Sequence, residues 1–369
     1  MVETEEEKRT VLFEKHKRLG ARMAPFGGYF MPIQYKGILW EHKAARTSAA
    51  VFDTCHMGEF LVSGEKSLSD LESLVSCDLA TLAPGRCRYG LMCNPAGGVL
   101  DDLLVYRLEE ADFMLVVNAG TQDADFEWIA GHVSESTTIR NISGSTAKVD
   151  VQGPGSPQMI MDLMEEPIDS LKYYGFQHNT FRGQKVLVSR TGYTGEVGFE
   201  IYSEPSLMSV FWDKCIEKGA VPAGLGARDT LRLEMGMPLY GHELTEERNA
   251  AAAGHGTFLS RTKEFIGSDA IRKGSGMKER LAGLAFEGRQ AAREGSHILS
   301  EEGEMVGTVT SGSFAPSLGH AVALGYVHSE FASEGTHIAV AARHELHGRI
   351  VELPFYKEGT ARKTLSDFL

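Results

Sequence analysis

The sequence predicts an α+β protein ending in a small all-β barrel, and three observations carry that prediction. Between residues 51 and 200, short strand-forming runs mix with amphipathic helical runs without a regular β-α-β alternation, the pattern of an antiparallel sheet flanked by helices. From Arg280 onward the helical periodicity gives way to closely spaced short strands separated by Gly-rich turns, which is how a small barrel reads. The chain has 369 residues, 42% of them hydrophobic, so it can bury two or three cores rather than one, and no fixed-period repeat or low-complexity linker interrupts it.

In chain order, Leu12 to Arg22 alternates apolar and basic residues at helical spacing, and it runs into a stretch from Ala24 to Tyr35 whose Gly and Pro punctuation reads as an ordered loop. Strands are expected at 59–64, 103–108, 113–118, 149–153 and 185–190, each rich in β-branched and aromatic residues. Amphipathic helices are expected over Ser67 to Val75, Thr121 to Val133 and Ser156 to Leu163, with another after Pro222. This unit closes near residue 275, giving regions 1–275 and 276–369. In the second, LAGLAF, MVGTVTSG, AVALGYV, HIAVAA and RIVELPF supply the barrel strands.

Charge and composition exclude whole classes of function. With 37 basic against 50 acidic residues the net charge is −13, the acids being spread along the chain apart from the run Glu3 to Glu7, which argues against nucleic acid or an anionic membrane as the main ligand. No stretch approaches the roughly 18 apolar residues of a membrane span, and the N-terminus lacks the basic and apolar regions of a signal peptide, so a soluble cytoplasmic protein is expected. Five cysteines, Cys55, Cys77, Cys87, Cys93 and Cys215, lack paired C-x2-C spacing and read as free thiols. GLGARD at Gly224 lacks the third glycine of a dinucleotide fingerprint, no phosphate-loop Gly-Lys-Ser/Thr occurs, and neither His242-Glu243 nor the run His344 to His347 has H-E-x-x-H spacing.

Several residues could carry chemistry. Asn94 to Tyr106 places Asp101 and Asp102 after a Gly-Gly turn at the head of an apolar strand. With residues 109–112 as the turn, 103–108 and 113–118 form a hairpin in which Leu108 faces Phe113 and Leu103 faces Asn118, so Asp102 and Asn118 lie together at its open end. The two aspartates then read either as turn residues at a strand entrance or as working carboxylates. Alternation puts Gly198, Glu200 and Tyr202 on one strand face and Phe199 and Ile201 on the other. Glu200 is either a solvated face or a fixed carboxylate able to accept two N–H bonds from a planar heterocycle. Arg228 lies in the first turn of a helical run, where a cation opposes the macrodipole, so an acidic protein partner such as Asp229, or an anionic ligand, should favour it. His56 reads as a structural donor to backbone, Cys55 as inert, and Tyr89 as equally core or pocket.

Taken together, FGGYFMP (26–32), FDTCHMGE (52–59), PGRCRYGLM (84–92), GGVLDDLLVYR (97–107), VVNAG (116–120), VQGP (151–154), SRTGYTGEVGFEIY (189–202), the run from Pro222 to Leu244, and VTSGSFAPSL (309–318) resemble the aminomethyltransferases (T-proteins) of the glycine cleavage system over nearly the whole chain. The resemblance implies a three-domain cloverleaf, with two interwoven antiparallel-sheet folate-binding domains and a C-terminal β-barrel. It implies tetrahydrofolate as cofactor and a lipoylated H-protein as partner, whose aminomethyl group yields ammonia and 5,10-methylenetetrahydrofolate. It makes Asp102 the catalytic carboxylate, Tyr89 and Asn118 pocket residues, Glu200 the carboxylate that holds the pterin, and Arg228 the arginine of the folate site. Asn249 to Thr257 departs from the family's N-P-x-E-A-G-L-G-W/F, and Thr54-Cys55 replaces the usual Val-Ser. That departure motivates an alternative, a tetrahydrofolate-dependent demethylase of a small N-, O- or S-methyl compound. A non-catalytic folate-binding relative used in iron–sulfur assembly would need a lysine-glycine-cysteine signature where this chain has Lys263 to Gly267.

Overall fold

The structure, a computed structural model, describes residues 7–254, 258–274, 278–341 and 344–369. Most of the opening acidic run (residues 3–6), the division expected between residues 275 and 276, and the end of the altered segment, His255 to Thr257, lie outside them. The first helix is shorter than its periodicity suggests: α1 (Phe13–Arg18) stops before Gly20, whose φ of 74° a side chain would resist. The stretch expected as a loop is instead a hairpin of β1 (Arg22–Phe26) and β2 (Tyr29–Gln34), turning through Gly27 and Gly28, both at positive φ. A two-stranded ribbon tolerates Pro25 and Pro32 because each strand keeps a free edge.

Two sheets follow, and they are interwoven. One is six-stranded in the order β10 (Phe176–Phe181), β11 (Gln184–Ser189), β12 (Gly198–Ser203), β9 (Ala147–Gln152), β3 (Ala50–Asp53), β13 (Val221–Ala223), with only the β13–β3 pair parallel. The other is five-stranded and antiparallel in the order β5 (Arg86–Cys93), β6 (Val99–Arg107), β7 (Asp112–Val117), β4 (Gly58–Gly64), β8 (Thr137–Asn141). All of β4 to β8 lies in the chain between β3 and β9, so the first sheet closes only after the second is complete.

Each sheet packs helices on its outer face. Val149, Val151, Phe199 and Ile201 bury with Met159 and Ile160 of α5 (Ser156–Leu163) and with Phe211 and Trp212 of α6 (Pro205–Glu217). Phe60, Val62, Phe113 and Leu115 bury with Leu71 and Leu74 of α3 (Ser67–Leu74) and Ile129 of α4 (Gln122–His132). At about 2 kcal/mol per buried large apolar side chain, slipping β12 by one residue would forfeit several kcal/mol, because Phe199 and Ile201 would exchange places with Glu200 and Tyr202. Register therefore dictates which side chains face inward. On the inner faces Cys87, Tyr106, Met114 and Val116 of the five-stranded sheet meet Phe176, Leu187 and Tyr202 of the six-stranded one.

The barrel expected at the C-terminus is present and closed: β14 (Glu279–Phe286), β17 (His320–His328), β16 (Met305–Ala315), β15 (His297–Leu299), β18 (His337–Val340) and β19 (Leu346–Val351). The three-residue β15 is too short to show periodicity and has no counterpart in the sequence reading. Helix α7 (Leu225–Glu234) joins the units, burying Ala227 and Leu231 against Phe52 and Ala223 of the six-stranded sheet, and Leu233 against Val322 and Leu324 of the barrel. No helix among the described residues is long and apolar enough to cross a membrane.

Candidate active site

The site lies between the inner faces of the two sheets. At one end, Asn94 Oδ1 accepts from the backbone N–H of Ala96 and Gly98 and folds the turn that feeds β6. Strand pairing begins at Val99, so Asp101 and Asp102 are strand residues and not turn residues. The β6–β7 pairing is one residue out of the expected register: Arg107 pairs with Phe113 and Leu104 with Val116. The cause is a longer turn, closed by the Leu108 N–H donating to the Asp112 carbonyl. Asp102 and Asn118 nonetheless meet at the open end, as expected.

Asn118 organises both carboxyls. Its Nδ2 donates to Asp101 Oδ1 at 2.7 Å and to Asp102 Oδ1 at 2.8 Å, while its backbone N–H donates to Asp101 Oδ2 at 3.0 Å. The Tyr89 hydroxyl, on β5, donates to Asp102 Oδ2 at 3.0 Å, which places this tyrosine in the pocket. Asp101 is fully buried, and burial, then the hydrogen-bonded Asp125 carboxyl of α4, pushes its pKa well above the usual range. Burial pushes Asp125 up to about 6. Asp102 opens partly onto the gap, yet the dense protein around its carboxyl, and then the Asp101 charge, push it up to about 7 against the lowering by Tyr89 and Asn118. A carboxyl poised there can take or give a proton near neutral pH.

At the other end Glu200 is buried rather than solvated, with its face of β12 turned inward as alternation predicts. Its Oε2 accepts from Thr191 at 2.6 Å and from Tyr106 and Tyr202 at 3.2 Å, and its Oε1 pairs with Lys148 Nζ at 2.9 Å. The acidic protein partner foreseen for Arg228 is present, but it is not Asp229, which pairs with Arg232. Arg228 Nη1 instead donates to the buried Asp150 Oδ2 at 2.5 Å, and its guanidinium lies 5.1 Å from the Tyr193 ring centroid. Asp150 also accepts from Thr54 at 3.0 Å and lies 3.6 Å from Lys148. Burial alone would raise the Asp150 pKa, but Lys148 and Arg228 outweigh it and hold the carboxyl below its usual range.

Half-buried Met57, Leu104 and Tyr174 pack on the apolar cluster between these two ends. Cys55 is inert as expected: burial and then Asp53 push its thiol well up, and all five cysteines are free. Among the described residues the His56 ring donates to no backbone carbonyl, contrary to expectation. Its Nδ1 is buried without a partner among the described residues, and burial lowers its pKa to about 4.

Comparison with known proteins identifies the family. Residues 12–263 match the GCVT N-terminal domain, and residues 279–357 match the glycine cleavage T-protein C-terminal barrel domain. The chain belongs to the glycine cleavage T-protein family. It is 42% identical to the aminomethyltransferase of Desulforamulus reducens over 361 residues, covering 96% of this chain and 99% of that one. It is 41% identical to that of Halothermothrix orenii over 356 residues, covering 94% and 99%. The crystal structure of glycine cleavage system aminomethyltransferase T from Bartonella henselae superposes with a TM-score of 0.91 at 31% identity, covering 97% of this chain and 100% of that one. This T-protein family member is thus an aminomethyltransferase-type enzyme, and nothing in these matches favours the demethylase alternative.

Sequence reading missed Lys148, Asp150, Tyr106, Thr191 and Asp125. For the first two a signal existed: in Ala147–Gln152, Lys148, Asp150 and Gln152 alternate with Val149 and Val151, and a strand buried on both sides must turn its polar set toward something. Asp125 had none, since an acid in the first turn of a helix is ordinary.

Proposed function

We propose that this protein transfers the aminomethyl carbon of a lipoylated H-protein to tetrahydrofolate in the cytoplasm, releasing ammonia and forming 5,10-methylenetetrahydrofolate. Residues 1–275 would form the folate-binding region and 276–369 the barrel domain. The observation that carries the reading is the position of Asp102, half-buried and poised near neutrality beside an apolar slot whose far end holds a fixed carboxylate. The residues present fit the cofactor. Met57, Leu104 and Tyr174 offer walls for a flat ring, and Glu200 Oε1, with only Lys148 on it, keeps a lone pair for an N–H.

Bound tetrahydrofolate would supply the two nitrogens that take the carbon. In the overall exchange the C–S and C–N bonds of the aminomethyl thioether break and two C–N bonds form. The two displaced N–H protons go to the thiol sulfur and to ammonia. Asp102 supports this in two ways: its carboxylate opposes positive charge developing on the transferred carbon, and it relays a proton. Asn118 and Tyr89 fix both its oxygens, so little reorganisation is needed as charge appears. Glu200 orients the ring, and Arg228, held by the buried Asp150, is the arginine of the folate site.

The test is ammonia release and 5,10-methylenetetrahydrofolate formation from aminomethyl-loaded H-protein and tetrahydrofolate. Turnover that collapses in Asp102→Asn supports the reading. A protein that binds tetrahydrofolate yet makes neither product overturns it.

A further inference from the structure

Among the ionisable groups between the sheets, Glu59 stands apart. It is the second residue of β4, is 1% exposed, and neither Oε1 nor Oε2 has a hydrogen-bond partner among the described residues. Among the described residues, the cations near it are already paired. Lys148 pairs with Glu200 at 2.9 Å and also donates to Met57 Sδ at 3.3 Å, and Arg228 is committed to Asp150. Two cations thus meet two carboxylates, and Glu59 is a third acid. Three residues upstream, His56 holds the second orphan, its buried Nδ1, with Phe26 and Tyr29 edge-on to its ring at 5.7 and 6.2 Å. Staying neutral down to about pH 4, that imidazole cannot serve as the missing cation. Buried polar atoms left unpaired in this number mark a place where something else supplies the partners.

We propose that Glu59 is a second ligand-binding carboxyl of this opening, taking the N–H-rich edge of the bound heterocycle on its two unpartnered oxygens. The inference rests on the folate reading above and extends it from one carboxyl to two. The groups facing Glu59 are Lys148 from β9, Glu200 and Tyr202 from β12, Tyr29 from β2, and Cys55. Burial pushes Glu59 up to about 8, with Lys148 lowering it and Glu200 raising it. The ligand-free protein therefore carries a proton there at pH 7.5. Two N–H donors arriving at the carboxyl favour its ionised form, so the proton leaves to bulk buffer while the ligand keeps its own hydrogens.

The experiment is isothermal titration of the full chain with 5-formyltetrahydrofolate at pH 7.5 in two buffers of different ionisation enthalpy, for the wild type and for Glu59→Gln and Glu200→Gln. The wild type is expected to release roughly 0.7 proton more per ligand bound than Glu59→Gln, which binds about tenfold more weakly. Glu200→Gln is expected to weaken binding and also to reduce the proton release, because it removes a charge that raises Glu59 and frees Lys148 to lower it. Folding of Glu59→Gln is read from its unliganded melting temperature, which should exceed that of the wild type at pH 8.5. Equal proton release and equal affinity in wild type and Glu59→Gln would overturn the inference while leaving the folate reading intact. A wild type that binds no folate at all would overturn the folate reading, and this inference with it.

Discussion

Asp102→Asn tests the site at its centre. Asparagine can set its oxygen at the Oδ1 position to accept from Asn118 Nδ2 and its amide nitrogen at the Oδ2 position to donate to the Tyr89 hydroxyl oxygen, so the local geometry should persist while charge and basicity are lost. With the carboxyl poised at about 7, the ionised fraction is about a tenth at pH 6 and about nine-tenths at pH 8, so wild-type turnover should rise roughly ninefold across that interval. In Asp102→Asn that limb should vanish and turnover at pH 8 should fall by about 10²-fold or more, with the dissociation constant for tetrahydrofolate nearly unchanged. Stability should move the opposite way. An acid whose folded pKa lies above its unfolded value near 3.9 holds its proton more tightly when folded, so its contribution is full at low pH and is lost as pH rises from about 4 through 7. Above pH 7 the deficit is of the order of 4 kcal/mol, and Asp102→Asn should recover much of it as a higher melting temperature of the unliganded protein. The assay is product formation with loaded H-protein from pH 5.5 to 8.5, alongside thermal unfolding at the same pH values. An Asn variant that retains the acidic limb would refute the assignment, since some other group would then be titrating.

Three further substitutions probe the framework. Tyr89→Phe removes a hydrogen bond that lowers the Asp102 pKa, so the acidic limb of turnover should shift upward by up to about one pH unit; an unshifted limb would mean that the hydroxyl does not tune the carboxyl. Arg228→Met leaves Asp150 buried with only Lys148 at 3.6 Å, and urea unfolding at pH 7 should show a loss of about 3 kcal/mol that shrinks as Asp150 protonates on acidification and largely disappears in Arg228→Met/Asp150→Asn. Gly98→Ala places a Cβ on the Glu246 carbonyl oxygen, and backbone cannot yield as a flexible side chain can. The variant should lose more than about 2 kcal/mol and turn over poorly from displacement of the β6 start, and wild-type stability would contradict that packing.

What the sequence revealed of this site followed its periodicities. In β12, strict alternation sorted Phe199 and Ile201 outward and Glu200 inward, because two large apolar side chains on one face admit only one register. The β6–β7 hairpin was harder, since its turn residues encode no tight two-residue type and a one-residue change in loop length moved every pair. Asp102 and Asn118 survived the shift because both sit at the open end, where the amide reaches two carboxyls at once. The partner of Arg228 was not legible: Asp150 is 78 residues away in sequence and reaches the arginine only because β9 closes the six-stranded sheet after the whole five-stranded one has been built. The N-terminal hairpin was hidden by Gly and Pro, which mark loops in most contexts and here mark a ribbon turn and its free edges.

The same long-range logic changes the meaning of the segment that departs from the family pattern. Asn249 caps the short 3₁₀ turn Ala250–Ala253, its Oδ1 accepting from the Ala251 N–H and its Nδ2 donating to the Ala270 carbonyl. Ala250 and Ala253 are buried with Leu91, Cys93, Val99 and Leu244, and the Ala250 N–H donates to the Gly97 carbonyl at 2.9 Å while Gly98 bridges to Asn249. These alanines hold the corner from which β6 departs, three residues before Asp101. They have small side chains, good helical propensity and no buried polar atom to satisfy, so they can replace bulkier residues without a desolvation cost. The altered stretch therefore acts first on the strand that carries Asp101 and Asp102. A substitution here that disturbs the corner should change the pH dependence set by Asp102 before it changes which donor is accepted.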